Sequence, residues 1–256
     1  MSLRTLVIIP TYNERENLPL ITSRLFEAFP EANLLVVDDG SPDGTGELAD
    51  TMALDDERVH TLHRSGKLGL GSAYIQGFQW GLERGYEVLV EMDADGSHPA
   101  SVLPSLVAAI ESADRPGSTA LAIGSRWTPG GTVVDWPRSR EALSRGANLY
   151  ARIALGIDIR DATAGFRAYR ADVLKAMDLG SVNSYGYCFQ IDMALRVLSG
   201  GHRVVEIPIE FRDRELGESK MSRAIVLEAM WKVTQWGLER RSRQVARAIG
   251  RPFDRH

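Results

Sequence analysis

Apolar and polar positions alternate in blocks along the first half of the chain. Leu6–Pro10, Leu34–Asp38, Val59–Leu62, Val88–Met92 and Leu121–Gly124 are apolar runs of strand length. Longer amphipathic stretches separate them, at about 14–29, 44–54, 70–84 and 99–113. Strands alternating with helices predict a parallel sheet with helices on both faces. In such sheets ligands bind beyond the carboxyl ends of the strands. The residues that follow each run are therefore the first place to look for chemistry.

The pattern loosens after residue 125. "TPGGTVVDWPRSR" (128–140) reads as a loop, followed by a helix from Glu141 to about Leu155. "DATAGFRAYR" (161–170) comes next, then a helix near 187–199 and a strand near Arg203–Phe211. A long helix is expected from about Arg223 to Ile249, with Ile225, Val226, Met230, Trp231, Val233 and Trp236 in its first part. Its last part places Arg240, Arg243, Arg247 and Arg251 on one stripe. Such a stripe suits an anionic membrane surface, or equally a solvated helix end favoured by the helix dipole. The domain expectation is 1–222 for one nucleotide-binding unit and 223–256 for this amphipathic helix.

Composition narrows the partners. The 256 residues are 44% hydrophobic and 25% charged, with a net charge of −4. An acidic balance argues against nucleic acid as a partner. Cys188 is the only cysteine, which excludes an intramolecular disulfide and a cysteine-rich zinc site; its expected role is a packed small residue. No apolar stretch reaches spanning length, and Met1 to Arg4 leads straight into the first strand without a secretory pattern. The expectation is a cytoplasmic protein that works, if at a membrane, on its cytoplasmic face.

The segments after the strands are unusually polar: "PTYNERENL", "DDGSPDGTG", "DADGSH" and "GSRW". Each has a local reading. Asn13 followed by Glu16 is close to a capping pattern, and "SPDG" is a ready turn. All four being only turns is the weaker account. Asp93 and Asp95 stand at i and i+2, so an extended backbone sends both to one side. Two carboxylates so placed suit a hard cation, Mg²⁺ or Mn²⁺, shared with substrate phosphates. Spacing alone leaves the pair open between a metal site and a polar turn. Val37 and Asp39 obey the same alternation, which offers Asp39 to a base or ribose. Arg126, Arg140, Arg214 and Lys220 are candidates for phosphate oxygens. "SGKLGLGSAY" (65–74) is neither a P-loop nor a dinucleotide fingerprint, and close backbone packing is its expected use. Asp161 has two candidate tasks, orienting an arginine or capping a turn. His98 is expected to begin a helix rather than bind metal.

Taken together and in order, "PTYNERENLPLI", "VVDDGSPDGTGELA", "KLGLGSAYIQG", "MDADGSHP", "SRGANL", "DATAGFRAYR" and "DRELGESKM" resemble the dolichol-phosphate (polyprenol-phosphate) mannose synthases, a branch of the inverting family-2 glycosyltransferases. The resemblance covers about residues 5–222. It implies a GT-A fold: one α/β nucleotide-binding domain with a mostly parallel mixed sheet. It implies transfer of mannose from GDP-mannose to a polyprenyl phosphate at a membrane, with a membrane-protein partner as one possibility. Donor-binding positions carry over as Pro10, Tyr12, Glu14, Val37, Asp39, Asp93, Ala94 and Asp95. Asp93 and Asp95 hold the metal in that family, and Ser97 stands where some relatives place a glutamine at it. Arg126, Arg214 and Lys220 carry over as donor and phosphate contacts. Arg140 and Ser144, with Arg126, match the acceptor-phosphate positions. Asp95, Arg126 and Arg140 are the residues expected to matter most for catalysis. The rival readings are a UDP-glucose-dependent polyprenyl-phosphate glucosyltransferase, a nucleotidyltransferase and a non-catalytic subunit.

Overall fold

The computed structural model describes residues 3–111, 118–182, 186–213, 230–238 and 240–242. The chain runs β1 (Thr5–Thr11), α1 (Asn17–Ala28), β2 (Asn33–Asp38), α2 (Thr45–Asp55), β3 (Val59–His63), α3 (Leu70–Glu83) and β4 (Val88–Glu91). A 3-10 turn, Ala100–Val102, leads into α4 (Leu103–Glu111), followed by β5 (Thr119–Ser125), β6 (Thr132–Val134) and α5 (Arg138–Leu155). Then come β7 (Arg167–Arg170), α6 (Ala171–Ala176), α7 (Tyr187–Ser199), β8 (Arg203–Pro208) and β9 (Glu210–Arg212).

Seven strands form one sheet in the order β3-β2-β1-β4-β7-β5-β8. Every pairing is parallel except those of β7, which runs antiparallel to both β4 and β5. The sheet is mixed and mostly parallel, the arrangement of the GT-A fold. The period-2 pattern of the strands decides which helices cover which face. Leu6, Ile8, Leu35, Val37, Leu89 and Tyr169 pack on α3, α6 and α7. Val7, Ile9, Leu34, Val36, Val88 and Val90 pack on α1 and α4, with Ala49 of α2. Both faces are apolar, so the strands read as continuous apolar runs, as buried parallel strands do.

Four elements differ from the sequence expectation. β6 lies inside the stretch read as a loop, and α6 had no expected counterpart. β7 carries two arginines in four residues, which hides its strand character. The strand expected over Arg203–Phe211 is two strands. Pro208 has no N–H for a ladder, and the chain changes sheets at Ile209. The Ile209 N–H donates to the Ser125 carbonyl at 3.1 Å, and its own carbonyl accepts from Thr132 at 2.9 Å. β9 then pairs with β6 in a separate two-stranded sheet. The C-terminal helix falls on described residues at 230–238 and 240–242, which are helical. The rest of it lies outside the described residues, and so do Arg243, Arg247 and Arg251.

Glycines bring α3 close to the sheet and to α7. A Cβ on Gly77 would lie 2.6 Å from Ile8, one on Gly81 2.6 Å from Leu89, and one on Gly71 2.8 Å from the Phe189 ring. Gly71 belongs to the "SGKLGLGSAY" stretch, and its backbone packs tightly, as expected. Gly77→Val forces side chain into a filled core. It should destabilise the fold by about 1–3 kcal/mol in urea titration, the usual range for overpacking.

Candidate active site

The strand ends gather at one edge of the sheet. β7 runs the other way, so its start, and the 161–166 loop before it, reach the same edge. On the β1–β2–β3 side the polar turns are held by Asp38. Its carboxylate accepts from Thr11 and Ser41 hydroxyls and from the Gly40 and Ser41 amides, all within 3.1 Å. Asp39 points elsewhere, into a buried ion pair with Arg64. Arg64 also donates to Ser72 of α3 at 2.6 Å. Burial raises the Asp39 carboxyl above its ordinary range, with Arg64 pulling the other way. Glu14 accepts from Asn17 at 2.7 Å, and its amide donates to Thr45 at 3.0 Å. Lys67 sits over the Tyr12 ring at 4.4 Å. Pro10 lies in β1, half-buried. The Val37 side chain is fully buried in the core and presents no surface to a ligand. Asn13 is not a helix cap: it takes a left-handed φ of 61° and donates its amide to Ser41. α1 begins at Asn17, without a side-chain cap.

The β4 end carries the carboxylate pair. Asp93 accepts from the Tyr74 hydroxyl of α3 at 3.0 Å, and its amide donates to His98 Nδ1 at 2.9 Å. His98 therefore anchors this loop, stacked on Phe166 at 5.2 Å, instead of starting a helix. Asp95 Oδ1 accepts from both the amide and the hydroxyl of Ser97, at 3.1 and 2.6 Å. The Ser97 proton thus aims Asp95. Ala94 between the two acids is buried. Tyr74 is held in its neutral form well above the ordinary tyrosine range, first by burial and then by the charge of Asp93.

The β5 end and α5 carry the cations. Arg126 gives Nε and Nη2 to the two oxygens of Asp161, each at 2.7 Å, and its amide to Asp161 at 2.9 Å. Asp161 is fully buried, so of its two expected tasks it performs the first: it orients an arginine. Arg126 Nη2 also reaches Thr163 at 3.0 Å, and Thr163 accepts from Asn148 of α5 at 3.1 Å. Arg140, Ser144 and Asn148 are spaced by four and share one stripe of α5. Asn148 donates to the Ser144 carbonyl. Arg140 stacks on Trp136 at 4.0 Å and pairs with Asp213 at 2.5 Å.

The two sides meet. A Cβ on Gly165 would lie 3.9 Å from Asp93 Oδ2. Phe211 packs against His98 on one side and under the Arg126 guanidinium, 5.4 Å away, on the other. Beneath the pair lies Glu91, fully buried, accepting from Gln190 at 2.7 Å. Burial pushes Glu91 up to about 8, against the pull of Arg167. Sequence reasoning passed over Arg64, Tyr74, Glu91 and Arg167. Arg64 was within reach, because it follows β3 as the other site residues follow their strands. Arg214 and Lys220 lie outside the described residues.

The carboxylates fit an oxygen-liking divalent ion. Among the described residues no cluster of three or more His, Cys, Asp or Glu side chains is placed to hold a metal by itself. Asp93 and Asp95 would supply two carboxylates to such an ion, a number that suits Mg²⁺, which commonly takes one or two carboxylates with substrate phosphates. Among the described residues no helix is long and apolar enough to cross a membrane. The two ion pairs of the cationic side differ in burial, with Asp161 at 0% and Asp213 at 34% side-chain exposure. Asp161→Ala should therefore cost about 3–5 kcal/mol by stranding a buried guanidinium. Asp213→Ala should cost about 1 kcal/mol or less. Thermal melts of the two variants decide it.

Comparison with known proteins follows the same lines. The Glycosyl transferase family 2 profile matches residues 6–178. The chain is 59% identical over 239 residues to the polyprenol monophosphomannose synthase of Mycolicibacterium smegmatis, covering 93% of this chain and 88% of that one. It is also 59% identical to the undecaprenyl-phosphate mannosyltransferase of Micrococcus luteus, covering 93% and 96%. Among solved structures, a mannosyltransferase from Pyrobaculum calidifontis in complex with GDP-Man and Mn²⁺ superposes with a TM-score of 0.56 at 16% identity, over 99% of this chain and 77% of that one. At that identity the likeness speaks for the fold. The profile match and the two near relatives speak for descent: this chain is a glycosyltransferase and belongs to glycosyl transferase family 2, in the branch that holds the polyprenol monophosphomannose synthases.

Proposed function

We propose that the protein transfers mannose from GDP-mannose to a polyprenyl phosphate, with inversion, using Mg²⁺ or Mn²⁺ held by Asp93 and Asp95. The observation that carries this reading is the meeting of the Asp93–Asp95 pair with the Arg140–Ser144 stripe of α5, joined through Arg126, Thr163 and Asn148. The names of the two near relatives and the GDP-Man and Mn²⁺ of the solved mannosyltransferase support it.

The chemistry follows from charge. A phosphate monoester is already anionic at neutral pH, so this nucleophile needs no general base. The protein's tasks are to position two anionic substrates and to offset their repulsion. The bound divalent ion would neutralise the diphosphate and make it a better leaving group. Asp93 is aimed by Tyr74, and Asp95 by Ser97; direct ligation by Ser97 is the part of the reading that rests on resemblance. Pro10, Tyr12, Glu14, Val37, Asp39 and Ala94 line the donor side. Asp39 reaches a ribose or base only by sharing its carboxylate with Arg64. The Val37 and Ala94 side chains are buried, so a contact from either would have to use the backbone. Arg126, fixed by Asp161, offers a rigid N–H array between donor and acceptor phosphates. Arg140 and Ser144 face the acceptor phosphate. Arg214 and Lys220 complete the donor side in this reading. In-line attack at the anomeric carbon inverts it.

The same helix leads to a membrane-facing surface. Leu149 and Ile153 are exposed on α5, and Trp231 and Leu238 on the neighbouring helical segment. That segment is fastened to α5 by Tyr150 and Thr234 hydroxyls 2.5 Å apart and by Arg241, which donates to the Ile153 carbonyl. Arg152, paired with Asp158, and Arg241 lie beside this apolar patch. Apolar side chains rimmed by cations suit the surface of an anionic bilayer, where the lipid acceptor resides.

Radiolabelled GDP-mannose and UDP-glucose, offered separately with membranes and with or without chelator, test the chemistry. The expected product is a lipid-linked mannose formed only from GDP-mannose and only with metal. Asp95→Ala should lower the rate by about 100-fold or more, the scale for losing a principal electrostatic group. Near-parental activity in that variant overturns the metal assignment. Ile153→Asp with Trp231→Ala should abolish sedimentation with phosphatidylglycerol vesicles, while turnover of a short, water-soluble prenyl phosphate is kept.

A further inference from the structure

Arg167 has no part in the mechanism above, yet it touches both halves of the site. It is fully buried at the start of β7, directly opposite Glu91 in the β4–β7 ladder. Each nitrogen of its guanidinium finds a backbone carbonyl. Nε donates to Ala164, Nη2 to Ala162 and Nη1 to Gln190, all at 2.7 Å. Ala162 and Ala164 belong to the loop that carries Asp161 and Thr163, the partners of Arg126. Gly165 of that loop is the residue beside Asp93. Gln190 closes the circle from α7 by donating its side chain to Glu91, two residues before Asp93.

Space-filling does not explain this arrangement. A well-packed apolar pair often stabilises a core as well as a buried charge pair, or better. What an apolar pair lacks is a planar fork of donors that grips three carbonyls at fixed angles. The carbonyls gripped here are those of the loop between the carboxylate pair and Arg126.

We propose that Arg167, set against Glu91 across the ladder, is a positioning residue for transfer: by clamping the 161–166 loop it fixes the spacing between the Asp93–Asp95 pair and the Arg126–Asp161 unit. The proposal rests on the glycosyl-transfer reading of this edge. Donor binding draws mainly on β1, β2 and β4, so loss of the clamp should spare it. Turnover depends on how donor and acceptor are held relative to each other, so it should suffer.

Two variants test it: Arg167→Lys, which keeps the charge and loses the fork, and the double variant Glu91→Leu/Arg167→Met, which keeps the volume and loses both the fork and the carboxyl group. Calorimetry with GDP and Mn²⁺ should give affinities within about twofold of the parent, while kcat falls about 10- to 100-fold, the scale for an ångström of misplacement. The double variant should melt at or above Arg167→Lys. A double variant with parental kcat would show that the pair only fills space, and equal losses of nucleotide affinity and kcat would show general damage; either overturns the proposal. If one variant fails to fold, the other carries the same comparison. If the parent uses UDP-glucose in place of GDP-mannose, the substrate reading fails. The ratio of variant to parent kcat on the accepted donor still judges Arg167.

Discussion

Carboxylates repel one another, and one edge of this sheet gathers Asp38, Asp39, Asp93, Asp95, Asp161 and Glu206. Two like charges about 4 Å apart near a protein surface repel by about 4 kcal/mol. The fold can hold this edge together only because each acid has a dedicated donor. Asp38 has two hydroxyls and two amides, Asp39 has Arg64, Asp93 has Tyr74, Asp95 has Ser97 and Asp161 has Arg126. Glu206 takes the Ser125 hydroxyl and the Arg160 and Asp161 amides. The donors come from strands, loops and helices far apart in sequence. Supplying those donors is therefore also what ties α3, β5 and β8 to the strand ends.

The cations of the edge are of two kinds. Arg64, Arg126 and Arg167 are buried and committed to fixed partners. They shape the site from within. Arg140 is half-exposed and stacked on an indole, so it is placed to meet an anion arriving from outside. In the proposed reading, acceptor recognition falls to the rim of the edge and its geometry to the interior. α5 spans both, since the stripe of Arg140, Ser144 and Asn148 opens it and Leu149 and Ile153 follow within about three turns.

Much of this was legible in the sequence where the pattern is local. The first five strands and the helices between them follow from apolar runs and amphipathic spacing. The strand-end rule then located Asp39, Asp93, Asp95 and Arg126. What escaped had long-range causes. β7 is a strand because β4 and β5 flank it, although its arginines read as surface. β8 and β9 divide at Pro208 because a second sheet takes over the pairing. Tyr74 looks like any residue on the buried face of a helix until the fold brings Asp93 beneath it. Asn13 resembles a cap in sequence, yet its left-handed backbone serves Ser41 in the neighbouring turn. His98 looks like a helix start, and its ring is instead the floor of the carboxylate loop. Partners separated by tens of residues leave no periodic trace.

The glycines of α3 carry a consequence for how such a chain can change over generations. Gly77 and Gly81 let the helix lie almost against the sheet and Gly71 lets it meet Phe189 of α7, and Tyr74 rides between Gly71 and Gly77. A side chain acquired at Gly77 or Gly81 pushes the helix off the sheet, and with it the Tyr74 hydroxyl that Asp93 accepts from. Positions that offer a ligand no side chain are thereby constrained through the acid they help to aim. The surface of the same helix, which faces water, is left open to variation.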